Sequence, residues 1–295
     1  MVKESILFGV IVGPTTDTRI AFKCIKSISE AIDHAESLVT GPEDSVRGPG
    51  LDIAVCGSAE KLTELERMVN EDGDCRDFDP LYYDETVKQA WITNKKNHLI
   101  SHHGTHYDLC CIVHDYYAFE KKFITHFYEW RNEKGNDRYQ LFQPKIMTKE
   151  GTRHSDWLVS QRYVIAVLQR HDDLLQLHNN IVSPGEQPQY VCGLPYDIKD
   201  MTHIQYISGG LMFGETKVFE VIPLDENRAW GQEEDIEWSM RVAGARIKLG
   251  MIDSTEYYVK LQKPNKWNLK QMPQETLDKL REYFKTLPVK ERYYY

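Results

Sequence analysis

No apolar run in the sequence approaches the roughly 20 residues that cross a bilayer, so a helical membrane span is not expected. The first apolar stretch, residues 6–12, runs into Pro14 and Thr15 without a small-residue cleavage pattern. It reads as a strand and not as a secretory leader. Cysteine is scarce. Cys24, Cys56, Cys75, Cys110, Cys111 and Cys192 include no C-x-x-C spacing, and the expectation is buried free thiols in a cytoplasmic, reducing compartment. Basic charge is in deficit, with 36 Lys and Arg against 45 Asp and Glu and a net charge of −9. That excludes a general electrostatic grip on nucleic acid, while leaving room for a local basic pocket that takes a diphosphate. Two phosphate and acyl-transfer signatures are missing, the G-x-x-x-x-G-K-[ST] loop and the G-x-S-x-G elbow. The run His102-His103-Gly104-Thr105-His106 spaces two His four apart, but His103 stands where a zinc peptidase carries its Glu base. His171-Asp172-Asp173 falls within an expected helix and reads as a solvated face.

What is present is an ordinary globular composition, 41% hydrophobic and 27% charged over 295 residues. A chain of that size buries a sizeable core and can hold a cleft. Strands are expected at residues 6–12, 51–56 and 109–113, where β-branched and apolar residues run without charge. Residues 20–35 carry Ile20, Cys24, Ile28 and Ile32 at a helical period, and residues 59–69 read as a second helix. Gly-Pro and Pro-Gly pairs mark residues 41–50 as a loop, and residues 72–79 form an acidic, turn-rich stretch. Helices are further expected over much of 87–106, then at 119–130, 157–177 and 235–243, with strands at 204–213 and 246–252. Pro273 suits the first turn of a last helix, whose stripe of Leu277, Leu280, Phe284 and Leu287 packs on the body or on a second copy of the chain. Alternating strands and helices through roughly the first 130 residues predict an α/β domain with a mostly parallel central sheet flanked by helices. Such sheets bind ligands beyond the carboxyl ends of their strands.

Five groups of residues carry candidate chemistry. Asp115, preceded by His114, sits where a buried strand would deliver a hard carboxylate to the sheet edge, a position suited to Mg²⁺ or Mn²⁺, and a strand-end Asp that caps a turn is the alternative reading. Thr93-Asn94-Lys95-Lys96-Asn97 brings a base and an amide upstream of that strand, and a solvated helix face is the alternative reading for Lys95. The turn Gly13-Pro14-Thr15-Thr16-Asp17 offers backbone amides, hydroxyls and a carboxylate. Ser208-Gly209-Gly210 allows a close backbone approach to a ligand, or marks a bulge. The densest signal is W-G-Q-E-E-D-I-E-W-S-M-R at 230–241. Glu234 and Asp235 there lie at an expected helix start, whose dipole favours their ionised forms. A solvated, capped helix is the bland alternative.

This last motif resembles the acidic motif of GT-A fold glycosyltransferases, and the order of all five groups is similar to that of family 2 inverting nucleotide-sugar transferases. The resemblance covers about residues 6–252. It implies a Rossmann-like GT-A catalytic domain over 1–260 with a helical extension over 261–295. It further implies transfer of a sugar from a nucleotide-sugar donor, UDP-linked, to a carbohydrate hydroxyl, with Mn²⁺ or Mg²⁺ and with inversion. Asp235 is then the base and Glu234 orients the acceptor, which Trp230 and Gly231 help to bind. Gly13, Pro14, Thr15, Thr16, Asp17, Lys96, Asn97, His114, Asp115, Gly209 and Gly210 line the donor side, with Asp115 on the metal. The family's usual Asp-x-Asp is here His-Asp-Tyr-Tyr, so its second Asp is missing. A nucleotidyltransferase is the alternative, although residues 13–19 are poor in the glycine and basic charge it needs. A non-catalytic carbohydrate-binding protein of the same fold is the other.

Overall fold

Ile6–Ile11 forms β1, buried at every position, as an uncharged β-branched run should be when a sheet is covered on both faces. In the computed structural model the described residues are 4–38, 50–86, 91–147, 158–159, 190–191, 205–228, 234–252, 259–262 and 270–271. Asp17 caps α1 (Thr18–Ser37) by accepting from the Arg19 amide. Then come β2 (Leu51–Gly57), α2 (Ala59–Asp72), β3 (Asp79–Tyr82), α3 (Trp91–His102), β4 (Leu109–His114), β5 (Tyr117–Phe119) and α4 (Phe123–Asn132). Short strands follow: β6 (Leu141–Pro144), β7 (Ile146–Met147), β8 (Leu158–Val159), β9 (Tyr190–Val191) and β10 (Gln205–Tyr206). The rest of the described chain forms β11 (Leu211–Glu215), α5 (Thr216–Val221), α6 (Glu234–Gly244), β12 (Leu249–Ile252), β13 (Val259–Leu261) and β14 (Lys270–Gln271).

The large sheet has seven strands in the order β12-β6-β11-β4-β1-β2-β3. β3, β2, β1 and β4 run parallel, β12 is parallel to β6, and β11 lies antiparallel to both β4 and β6. β11 is therefore the one reversed strand. Its reversal brings the start of β11 to the carboxyl end of β4, with Leu211 paired to Val113. A small sheet of β5, β13 and β7 stands apart from it.

Side chains alternate across the strands and divide the core in two. Phe8, Val10, Ile53 and Val113 pack with Ile25, Ile28, Leu62 and Phe127 of α1, α2 and α4. Leu7, Ile11, Cys56 and Ile112 pack on the opposite face with Leu99, Phe219 and Trp238 of α3, α5 and α6. Burial of this kind contributes about 25 cal/mol per Å² of apolar surface. Trp238 is fully buried, stacks on Phe219 at 5.3 Å and donates Nε1–H to the Ile222 carbonyl. That anchor fixes α6, and with it the acidic residues at its first turn. Cys24, Cys56, Cys110 and Cys111 are buried free thiols, and Cys75 is a half-buried one. Among the described residues no helix is long and apolar enough to cross a membrane.

Several expectations change. The strand expected over 204–213 is two strands, β10 and β11, separated by Ile207–Gly210. The acidic stretch 72–79 ends in a strand, β3, and the helix expected from 119 begins at Phe123 because β5 occupies 117–119. Of the helix expected over 157–177 only Leu158 and Val159 are described, and they pair with β10. The loop over 41–49 and the helix after Pro273 lie outside the described residues.

Candidate active site

The carboxyl ends of β1 and β4 form one wall. The Asp115 amide donates to the Ile11 carbonyl at 3.2 Å, carrying the strand ladder one residue past β4. Its side chain, 3% exposed, turns back so that Oδ2 accepts from the Gly13 amide at 2.9 Å. This bond ties the first turn of the chain to the end of β4. Beside it, the His114 amide donates to the Gly210 carbonyl at 2.9 Å, and His114 Nδ1 lies 2.8 Å from the Tyr116 hydroxyl.

The second wall is the Gly209-Gly210 pair and the start of α6. The Gly209 amide donates to Asp235 Oδ2 at 2.8 Å, and Asp235 Oδ1 accepts from the Ile236 amide at 2.9 Å. A Cβ at Gly209 would lie 3.0 Å from Asp235 Cβ and 3.2 Å from Glu234 Oε1, so glycine permits the close approach of the acid pair. At Gly210 a Cβ would meet the Tyr117 hydroxyl at 2.6 Å. The Gly209 carbonyl in turn accepts from Lys96 Nζ at 2.7 Å. Lys96 is fully buried and Glu234 is 8% exposed. Burial lowers the Lys96 ammonium from its ordinary value, and the charges of Glu234 and Asp235 pull the other way. Burial raises the Glu234 carboxyl; Lys96 opposes that rise and Asp235 adds to it.

Tyr116 joins the walls. Its phenol is pushed well above its ordinary value, by burial first, then by Tyr117 and by the negative charges of Asp115, Glu234 and Asp235. The phenol carries the electrostatic influence of all three carboxylates, and the backbone bond from His114 to Gly210 joins the end of β4 to the glycine pair that holds Asp235. The aromatic pair directly after the strand-end Asp was the available signal for Tyr116 and Tyr117, and sequence reasoning passed over it.

The other candidates are placed as follows. Pro14, Thr15 and Asp17 are exposed, and the Thr16 carbonyl accepts from Lys61 Nζ at 2.8 Å. Asp17 pairs with Arg19 at 2.7 Å, and this guanidinium lowers the carboxyl to about 2. Lys95 corrects the solvated-face reading: it is fully buried, donates to the Val12 carbonyl at 2.6 Å and pairs with Glu85. Asn97 faces away from the acid pair, bonding the Leu224 backbone at 2.9 and 3.0 Å and Glu226 at 3.1 Å. It lines a cavity of about 670 Å³ with His98, Phe219 and Leu224, into which neither Asp115 nor the acid pair opens. Trp230 and Gly231 lie outside the described residues.

Among the described residues no group of three His, Cys, Asp or Glu side chains is arranged to hold a metal ion. Asp115 is a single hard oxygen donor. A Mg²⁺-type cation can be held by one carboxylate with the remaining ligands drawn from substrate phosphate and water, and Asp115 is the donor that such an arrangement would use. No protein-family model matches the chain, and no curated protein is found to match it.

Proposed function

We propose that the chain is a GT-A glycosyltransferase that moves a sugar from a UDP-linked donor to a carbohydrate hydroxyl with inversion, in a cytoplasmic setting. The observation that carries this reading is the Gly209-Gly210 pair, whose Gly210 carbonyl accepts from the His114 amide beside Asp115 and whose Gly209 amide donates to Asp235. The position suits a ligand on general grounds, being beyond the carboxyl ends of parallel strands. In this reading Asp115 would hold a divalent cation, which supplies Lewis-acid stabilisation of the departing diphosphate.

The protein's own groups perform the rest. Asp235 is oriented by two backbone amides and keeps further lone pairs on both oxygens. It accepts the proton of the acceptor hydroxyl while that oxygen forms its bond to the anomeric carbon. The bond from the anomeric carbon to the diphosphate oxygen breaks, and its electron pair leaves with UDP. Attack from the face opposite the leaving group inverts the centre. Glu234, beside Asp235, holds the acceptor. The Gly209-Gly210 backbone lets the sugar approach without side-chain obstruction.

The test is a donor screen with and without Mn²⁺. Release of UDP dependent on acceptor supports transfer. Release of pyrophosphate from a nucleoside triphosphate overturns it in favour of a nucleotidyltransferase. Binding of carbohydrate without release of either product overturns it in favour of a non-catalytic binding protein.

A further inference from the structure

Two adjacent lysines near the start of α3 are fully buried, yet they are fixed to different walls. Lys95 holds the Val12 carbonyl, one residue before the Gly13 turn. Lys96 donates to the carbonyl of Gly209, the residue whose N–H donates to Asp235. A chain of two hydrogen bonds, 2.7 and 2.8 Å, therefore runs from the Lys96 ammonium through residue 209 to the carboxylate. Taking a lysine out of water is costly unless its charge is answered nearby. For Lys96 the answering charges are Glu234 and Asp235 on α6. Among the described residues, the charged and titratable groups that act on the acid pair are Lys96 from α3, Tyr116 from the turn after β4, and the two carboxylates themselves.

We propose that Lys96 is a positioning residue for the acid pair, holding residue 209 in place and setting a positive charge beside the pair, and that it is not a ligand of the donor phosphates. Its complete burial and its bond to the Gly209 carbonyl commit the ammonium to the acceptor side. A phosphate ligand needs an ammonium that faces the ligand. What the acid pair accomplishes rests on the transferase reading above; the coupling between Lys96 and the pair does not.

The experiment is an NMR titration of the Glu234 side-chain carboxyl in the full chain, with the signal assigned through Glu234→Gln. In Lys96→Met the titration should move upward by roughly one pH unit, a tenfold change in acid dissociation. A residue that only packs would leave it in place, and an unmoved titration overturns the proposal. Calorimetry with UDP and Mn²⁺ supplies the second arm. A UDP affinity that stays within about twofold of wild type while the titration moves supports the proposal. An affinity weakened tenfold or more makes Lys96 a phosphate ligand and overturns it. If the wild type binds no UDP, the transferase reading fails while the titration still decides the role of Lys96. Should Lys96→Met not fold, Glu234→Gln gives the reciprocal measurement, because the coupling between two charges is mutual. The Lys96 ammonium, followed by nitrogen NMR, should then lose its proton at lower pH, and an unchanged titration overturns the proposal.

Discussion

On the β1–β4 wall, a glycine amide at residue 13 donates to Asp115 at 2.9 Å; on the β11–α6 wall, a glycine amide at residue 209 donates to Asp235 at 2.8 Å. The device is the same, and the surroundings differ. Asp115 is 3% exposed and closes a turn onto the end of a parallel strand. Asp235 is half-buried at a helix start, next to a second carboxylate and joined through one residue to a buried ammonium. An amide–carboxylate bond fixes where a charge sits. The neighbours decide what the charge can do. In the proposed reading the buried carboxylate at the end of β4 serves a cation, and the half-buried one beside a second acid and a lysine serves proton transfer.

The sharpest way to break this comparison is to neutralise each carboxylate in turn. Asp235→Asn should reduce transfer by about 10²–10⁴-fold, the usual worth of a general base, while UDP binding in Mn²⁺ stays near the wild-type value. Asp115→Asn should weaken Mn²⁺-dependent UDP binding by tenfold or more, roughly 1.4 kcal/mol. Single-turnover rates and calorimetry check both. Normal turnover in Asp235→Asn would remove the base, and equal effects of the two variants on UDP binding would merge the walls into one site.

The glycine pair separates the walls by stability. In Gly210→Ala the new methyl meets Tyr117, a residue 1% exposed, and overpacking of this kind costs about 1–3 kcal/mol. In Gly209→Ala the methyl meets the Asp235 Cβ at 3.0 Å and the two carboxyl ends at 3.1 and 3.2 Å, so only the carboxyl ends can turn aside, and Asp235 Oδ2 does so at the expense of its bond to the Gly209 amide. That variant, with its nearest contact at 3.0 Å against 2.6 Å at Gly210, should lose less stability than Gly210→Ala and most of its transfer activity. Urea unfolding together with turnover measures the split.

How much of this was legible in the sequence follows burial and length. β1, β2, β4 and the first two helices are long apolar or periodic runs, and they stand where their pattern puts them. β3, β5 and β6 are three or four residues long, and their identity comes from strand partners that no local pattern names. At the site, the strand-end Asp115 and the helix-start acids could be placed because a buried strand and a helix dipole act locally. The burial of Lys95 and Lys96 could not. A Lys-Lys-Asn run reads as surface, and only the fold sets two carbonyls and three carboxylates around the pair. The position of Tyr116 after the strand-end Asp is visible in the sequence, but its surroundings are not, since they come from both halves of the chain.

A smaller effect bears on the acid pair alone. Because the Glu234 carboxyl is raised above its ordinary 4.5, the native state holds this proton more tightly than the unfolded chain does. Its contribution to stability is fully present below pH 4.5 and is lost as pH rises through the native value. Glu234→Gln cannot titrate. Its stability relative to wild type should therefore climb across that window and then level off, as read from urea midpoints at stepped pH. A flat difference would mean that Lys96 already offsets the burial.

The smallest effect expected lies on the opposite wall, where Asp17 caps α1 and pairs with Arg19 in the open. Its carboxyl is lowered from 3.8 to about 2, chiefly by the Arg19 guanidinium, so the unfolded chain binds this proton more readily than the native one. The stability it contributes is present above pH 3.8 and disappears as pH falls through about 2, the reverse of the Glu234 case. Asp17→Asn keeps a capping side chain and removes the titration. Its acid unfolding should therefore lose a small part of the wild-type slope between those two values. High salt should erase most of the difference, because an exposed pair is screened by it. Since Asp17 is spent on its own helix, UDP affinity should be unchanged in the same variant. A tenfold weaker affinity would return this carboxylate to the donor site and make the exposed end of the Gly13 turn part of the first wall.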